Sequence, residues 1–256
     1  MTTFTIQHIK DFKTSKTSFA TLTAYDYTSA KILDEAQIPL ILVGDSASMM
    51  VYGYDTTLPV SMDEMLLIVK SVSRGAAHSL VVADMPFLSY QPSIEETIKN
   101  AGLFLKEGGA SAVKLEGGVP VAKHVQSLVE HGIPVLGHIG LTPQSYHQLS
   151  GYKVQGKTPD GAKKIIDDAL ALQDAGAFGV VLECIPDALA KEITETLLVP
   201  TIGIGSGNNC DGQIQVFHDI LGYSSSAPPK HATVYDNMYG NVLDIVKKYK
   251  SDIENQ

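Results

Sequence analysis

Short apolar runs recur along the chain, and one after another ends on a charged residue. ILVGDS (41–46) ends at Asp45, VVADMP (81–86) at Asp84, AVKLEGG (112–118) at Lys114 and Glu116, and VVLECIP (180–186) at Glu183. PVLGHIG (134–140) carries His138 at the equivalent place. Runs of this length, rich in Val, Leu and Ile, read as buried strands. The pattern predicts strands over 19–25, 40–46, 80–85, 112–116, 134–139, 179–184 and 200–204, with an eighth, less regular, over 214–221. Between them lie stretches with apolar residues at helical spacing, 160–175 and 187–198 among them. Several open on recognisable start signals. Ser61 with Glu64, and Ser93 with Glu96, fit the capping box; Thr158 followed by Pro159 fits an N-cap with proline in the first turn.

A punctuation repeats through these boundaries: an acidic helix end, a small residue, then a strand, in DEAQIPLILVGD, KEGGASAVKLEGG, EHGIPVLGHIG and DAGAFGVVLECIP. Helix stop followed directly by strand start is the αβ connection of parallel sheets. Seven or eight such units in 256 residues predict an α/β fold of the (β/α)8 TIM-barrel type. A doubly wound open sheet is the alternative, but no G-x-G-x-x-G follows the first strand; the glycine cluster GIGSG (203–207) comes late. No Pro/Ser-rich linker or charge block divides the chain, so residues 1–256 are expected to form a single barrel domain with a short N-terminal extension.

Strand parity carries the pattern towards chemistry. Residues two apart share a face, which groups Val43 with Asp45, Val82 with Asp84, Lys114 with Glu116, Leu136 with His138 and Val181 with Glu183, and turns Cys184 towards the helices. In a barrel the downstream strand ends open on one mouth. Four carboxylates, a lysine and a histidine are thereby expected in one pocket, a set suited to a hard metal ion and a proton-abstracting base.

Composition narrows the partners. A net charge of −9 and a pI near 5.3 argue against nucleic acid or an anionic membrane. No apolar stretch approaches the ~20 residues that span a bilayer, and the N-terminal segment lacks the apolar core of a signal peptide. Cys184 and Cys210 make no disulfide framework, so a reducing, cytoplasmic setting is expected.

Within the pocket, Asp45 and Asp84 suit Mg²⁺, which binds through one or two carboxylates and keeps its other positions for substrate and water. Glu116 joins them directly or through a water. Lys114 suits a substrate carboxylate or a developing oxyanion. Glu183, behind three apolar residues, reads as the base, with a third metal ligand as the alternative. His138 reads equally as a structural or a functional residue, Ser46 as a substrate contact or a cap, and GIGSG as a phosphate loop or a tight turn. No H-E-x-x-H, C-x-x-C or G-x-S-x-G is present, which disfavours zinc and serine-hydrolase chemistry.

TAYDY (23–27), LVGDS (42–46), LPV (58–60), ADMPF (83–87), KLEGG (114–118), GHIGLTPQS (137–145), GYKVQGK (151–157), LECIP (182–186) and IGIGSGNNCDGQIQVFHD (202–219) together resemble the ketopantoate hydroxymethyltransferase family. The resemblance implies a phosphoenolpyruvate-mutase-like barrel. It implies transfer of a one-carbon unit from 5,10-methylenetetrahydrofolate to 3-methyl-2-oxobutanoate, giving 2-dehydropantoate on the way to pantothenate. By matching motif, Asp45 and Asp84 look like Mg²⁺ ligands that also face the substrate, and Glu116 like a metal-site acid. Ser46, Lys114 and His138 look like substrate contacts, and Glu183 like the proton acceptor. The family is cytoplasmic and homo-oligomeric, commonly decameric. After Asp45 and Ser46 this chain reads ASMM where the family pattern is closer to LGM, so Ala47 and Ser48 are departures beside the site.

Overall fold

The computed structural model describes residues 3–225 and 227–255. The chain divides into two compact units, Met1–Ile214 and Gln215–Gln256. Strands β1 (Phe19–Thr23), β2 (Leu40–Val43), β3 (Leu80–Asp84), β4 (Ala112–Glu116), β5 (Val135–Gly140), β6 (Gly179–Glu183), β7 (Thr201–Ile204) and β8 (Gly212–Gln215) form a closed barrel in sequence order. Pairing is parallel from β1 through β8. The helices are α1 (Ile6–Thr14), α2 (Tyr27–Glu35), α3 (Ala47–Met50), α4 (Met62–Gly75), α5 (Ile94–Lys106), α6 (Ala122–Glu130), α7 (Tyr146–Leu149), α8 (Pro159–Asp174), α9 (Asp187–Thr196), α10 (Phe217–Leu221) and α11 (Met238–Glu254).

The helix starts follow the sequence signals. Ser61 and Glu64 close a reciprocal capping box on α4. Ser93 Oγ accepts the Glu96 N–H at 3.2 Å on α5 without the reciprocal bond of the expected capping box, and Thr158 Oγ1 accepts the Gly161 N–H at 3.2 Å ahead of Pro159 on α8. The eighth expected strand needs correction: β8 is Gly212–Gln215, and residues 217–221 turn into α10, capped by left-handed Gly222. Ile214, Val216, Phe217, Ile220 and Leu221 satisfy a period of two at one end and a helical period at the other, so periodicity alone extended the strand too far. In the second unit, α11 follows an Asn237 cap that accepts the Gly240 N–H, and none of its residues is buried.

The barrel interior explains how the site is reached. Leu40, Leu42, Leu80, Val82, Ala112, Leu136, Val181, Ile202 and Ile214 form a buried cluster with Phe19. Helix α1 adds fully buried Ile9, with Phe4, Ile6 and Phe12 packed alongside; burying one such side chain contributes about 1.5–3 kcal/mol. Lys13 ties α1 to the Thr194 carbonyl at 2.8 Å and to Asp211 Oδ2 at 3.0 Å. Two residues downstream of Val82, Ala112, Leu136 and Val181 stand Asp84, Lys114, His138 and Glu183, so parity carries those side chains onto the cluster's face. β2 departs from the expectation. Its cluster residues are Leu40 and Leu42, which puts Val43 on the opposite face. The strand stops at Val43 and the chain turns through Gly44–Ser46, which is how Asp45 arrives beside Asp84 without strand parity.

Candidate active site

Register makes the first contacts. Asp84 is paired with Lys114 across β3 and β4, and Glu116 with His138 across β4 and β5. Lys114 Nζ lies 2.8 Å from Asp84 Oδ1, 3.8 Å from Glu116 Oε1 and 3.1 Å from His138 Nδ1. His138 Nδ1 is 3.4 Å from Glu116 Oε1, and its Nε2 is 3.0 Å from Glu183 Oε2. Asp45 donates its backbone N–H to Asp84 Oδ2 at 3.2 Å. The structure thus brings Asp45, Asp84, Lys114, Glu116, His138 and Glu183 together at the downstream ends of β2 to β6. Ser46 is beside them, its Oγ 2.8 Å from the Tyr25 hydroxyl.

Burial sets the electrostatics. Asp84 is 1 % exposed and Lys114 3 %, so bulk water screens neither charge. Burial pushes the Asp45 carboxyl well above the usual range, and repulsion from Asp84 and Glu116 adds to it, against the pull of Lys114 and Gln144. Burial raises Asp84 too, with Lys114 pulling it down and Glu116 pushing it up. Burial would also raise Glu116, but His138, Lys114 and the Gln144 N–H outweigh it and hold that carboxyl below its ordinary value. Burial works against the Lys114 charge, yet Asp84, Glu116 and Asp45 together raise its pKa, so the ammonium persists.

Burial and Lys114 depress His138, and the hydrogen bonds to Glu116 and Glu183 lift it to about 9. The Lys114 contact at Nδ1 is a hydrogen bond only for the neutral ring, whereas the contact to Glu116 needs a proton there. Both states place a hydrogen on Nε2, which faces Glu183 Oε2 at 3.0 Å as an ion-pair contact rather than an aligned hydrogen bond.

Two residues that the sequence did not single out complete the pocket. Gln144, in the turn Pro143–Ser145 after β5, donates its backbone N–H to Glu116 Oε2 and its Nε2 to Asp45 Oδ2, each at 2.9 Å. Tyr90, 1 % exposed, donates its hydroxyl to Gln144 Oε1 at 2.9 Å. Gln144 lay inside GHIGLTPQS, and a polar residue one step beyond a proline at a strand's downstream end was the available signal. Tyr90 had none.

The remaining expectations divide. Cys184 lies beyond the end of β6 with φ +47°, a left-handed backbone to which strand parity does not apply; burial and the Glu183 carboxylate push its thiol up to about 11. Gly207 has φ +79°, and a Cβ there would collide with the Asp187 carboxylate. A carboxylate against the loop opposes phosphate there. Among the described residues, no three His, Cys, Asp or Glu side chains are gathered closely enough to hold a metal ion between them.

The family model described as Ketopantoate hydroxymethyltransferase matches residues 3–256. A 3-methyl-2-oxobutanoate hydroxymethyltransferase from Carboxydothermus hydrogenoformans is 54% identical over 98% of this chain and 91% of its own length. One from Syntrophus aciditrophicus is 50% identical over 96% and 91%. Among solved structures, phosphonopyruvate hydrolase in complex with oxalate and Mg²⁺ is similar with a TM-score of 0.67 at 12% identity, over 98% of this chain and 88% of that one. 2,3-Dimethylmalate lyase, a PEP mutase/isocitrate lyase superfamily member, is similar with a TM-score of 0.60 at 13% identity, over the same shares. At such identities the structural likeness speaks for the barrel fold alone, which agrees with the expected (β/α)8 barrel.

Proposed function

This chain belongs to the ketopantoate hydroxymethyltransferase family, and we propose that its barrel mouth transfers a hydroxymethyl unit from 5,10-methylenetetrahydrofolate to 3-methyl-2-oxobutanoate, giving 2-dehydropantoate and tetrahydrofolate. The observation that carries the proposal is the meeting of Asp84, Lys114, Glu116, His138 and Glu183 from four adjacent strands with Asp45 from the turn after β2. The expected activity, first step of the route to pantothenate, needs a bound 2-oxo acid, a base at C3 and a group that bears the charge of the enolate.

The donor set fits Mg²⁺. Four carboxylates gather around Lys114 and His138, and burial raises both Asp45 and Asp84, with Glu116 repelling each and Asp84 also repelling Asp45, an excess that a divalent ion would relieve. The Asp45 carboxylate accepts the Gln144 amide through Oδ2, and Asp84 Oδ1 and Glu116 Oε1 are buried oxygens that accept no hydrogen bond among the described residues. Asp45 and Asp84 are the residues that would hold the ion. Glu116, engaged by Gln144 and His138, would serve it from behind, through water. When bound, Mg²⁺ would polarise the keto oxygen of the substrate and acidify the adjacent C3–H.

The chain's own groups supply the rest. Glu183 accepts the C3 proton; it is the site carboxylate most open to the mouth, its side chain 15% exposed. His138 flanks it, Nε2 standing 3.0 Å from Glu183 Oε2. Lys114 and Ser46 hold the substrate, Lys114 offsetting the negative charge that develops on it. Exposed Tyr52, Tyr54 and Phe87, on the segments following β2 and β3, and Tyr152, on the segment following β5, offer flat faces to the pterin ring of the folate. Two free cysteines fit a reducing cytoplasm, no described helix is long and apolar enough to cross a membrane, and a homo-oligomer, a decamer by family resemblance, is part of the same proposal.

The test is proton NMR of the purified chain with Mg²⁺, 3-methyl-2-oxobutanoate and 5,10-methylenetetrahydrofolate in D₂O. Hydroxymethyl resonances of 2-dehydropantoate are expected. Loss of the C3–H signal to deuterium without product would keep the enolate site and remove folate as donor. An unchanged C3–H signal would remove the transferase assignment.

A further inference from the structure

Gln144 directs both ends of its side-chain amide and its backbone N–H into the site. Its Nε2 donates to Asp45 Oδ2 and to the Met85 carbonyl, both at 2.9 Å, and its backbone N–H donates to Glu116 Oε2. Its Oε1 accepts from the Tyr90 hydroxyl at 2.9 Å and from Gln91 Nε2 at 3.4 Å. We propose that Gln144 is a positioning residue that fixes the carboxylates of Asp45 and Glu116 together, and that Tyr90 fixes Gln144. The inference rests on the metal assignment above and adds two residues to it.

The orientation of the amide is determined by its surroundings. Flipping it would set Oε1 against the Asp45 carboxylate and the Met85 carbonyl, acceptor facing acceptor, and would turn Nε2 towards the Tyr90 hydroxyl. Tyr90 has its own anchor, since the same hydroxyl reaches the Glu116 carbonyl at 3.1 Å. Gln144 is 5% exposed and Tyr90 1%, so water does not replace a lost partner freely. The amide engages Oδ2 of Asp45 while the Asp45 N–H binds Asp84 Oδ2, so Gln144 fixes the orientation of the carboxylate that would face a cation. Gln144 touches no reacting atom in this arrangement; it acts through Asp45 and Glu116.

The experiment is calorimetric Mg²⁺ titration of the full chain as wild type, Tyr90→Phe, Gln144→Met and the double variant, with melting temperature recorded on the same samples. Tyr90→Phe, which keeps the ring and its packing, is expected to weaken Mg²⁺ binding about 3- to 10-fold and Gln144→Met about 10- to 100-fold. If the two act as one relay, the double variant falls within about twofold of Gln144→Met alone. Unchanged Mg²⁺ affinity with a lowered melting temperature would make both residues mere packing and overturn the proposal, as would effects that multiply in the double variant. Should Gln144→Met fail to fold, Tyr90→Phe decides by itself. Wild type that binds no Mg²⁺ would overturn the metal assignment together with this proposal, whereas a binding wild type with indifferent variants overturns the positioning role alone.

Discussion

His138 Nε2 stands 3.0 Å from Glu183 Oε2, so the candidate base is held from the neighbouring strand by a buried imidazole. Without that ion-pair contact the Glu183 carboxylate loses its neighbour on β5, and misplacing a reacting group by an ångström can cost about 100-fold. His138→Phe is expected to lower kcat about 10- to 100-fold while Mg²⁺ affinity moves less than about threefold. His138→Gln, whose amide can still donate, recovers part of the loss. Steady-state kinetics beside a Mg²⁺ titration checks both, and a kcat within twofold of wild type in His138→Phe would remove the positioning role.

The backbone behind Glu183 is equally constrained. Gly140 has φ +93°, and a Cβ there would collide with the Glu183 carbonyl oxygen, which itself accepts the Leu141 N–H at 2.8 Å. Gly140→Ala combines left-handed strain with that collision and is expected to cost about 2–4 kcal/mol of stability. Urea unfolding measures it; a cost below about 0.5 kcal/mol would show that the β5–β6 junction yields freely.

These strands also show what the sequence made legible. The helix-stop, strand-start punctuation gave the barrel, because parallel strands covered by helices require that connection each time. Parity located Asp84, Lys114, His138 and Glu183, because each is two residues beyond an interior apolar residue in a regular strand. It failed at Asp45, where β2 ends early and a turn re-aims the side chain, and at 217–221, where a short apolar run fits strand and helix alike. Gln144 and Tyr90 escaped for another reason. Their partners lie 28, 54 and 99 positions away along the chain, and neither carries a charge that would draw notice.

Acid sensitivity has a source outside the site. Asp34 in α2 accepts the backbone N–H groups of His78 and Ser79, at 2.7 and 2.8 Å, and lies 2.9 Å from His78 Nδ1. Burial alone would raise this carboxyl, but these bonds and the Ser79 hydroxyl hold it at about 2, against an ordinary 3.8. A depressed folded-state pKa contributes stability that is fully present above the unfolded value and is lost as pH falls from about 4 towards 2. Asp34→Ala is therefore expected to cost about 2–3 kcal/mol at pH 7, and progressively less below pH 4. Denaturant melts of both proteins across that window test the sign; a difference that grows on acidification would contradict it.

The central claim is that Glu183 takes the C3 proton of a 2-oxo acid seated beside Asp45 and Asp84. The most direct measurement is the rate at which the C3 hydrogen of 3-methyl-2-oxobutanoate exchanges with D₂O in the presence of Mg²⁺, for wild type and for Glu183→Gln, without folate. Glu183→Gln should bind Mg²⁺ and the oxo acid nearly as wild type does, yet exchange at least about 100-fold more slowly. Exchange at the wild-type rate in that variant would contradict the assignment and return Glu183 to the role of a bystander held by His138.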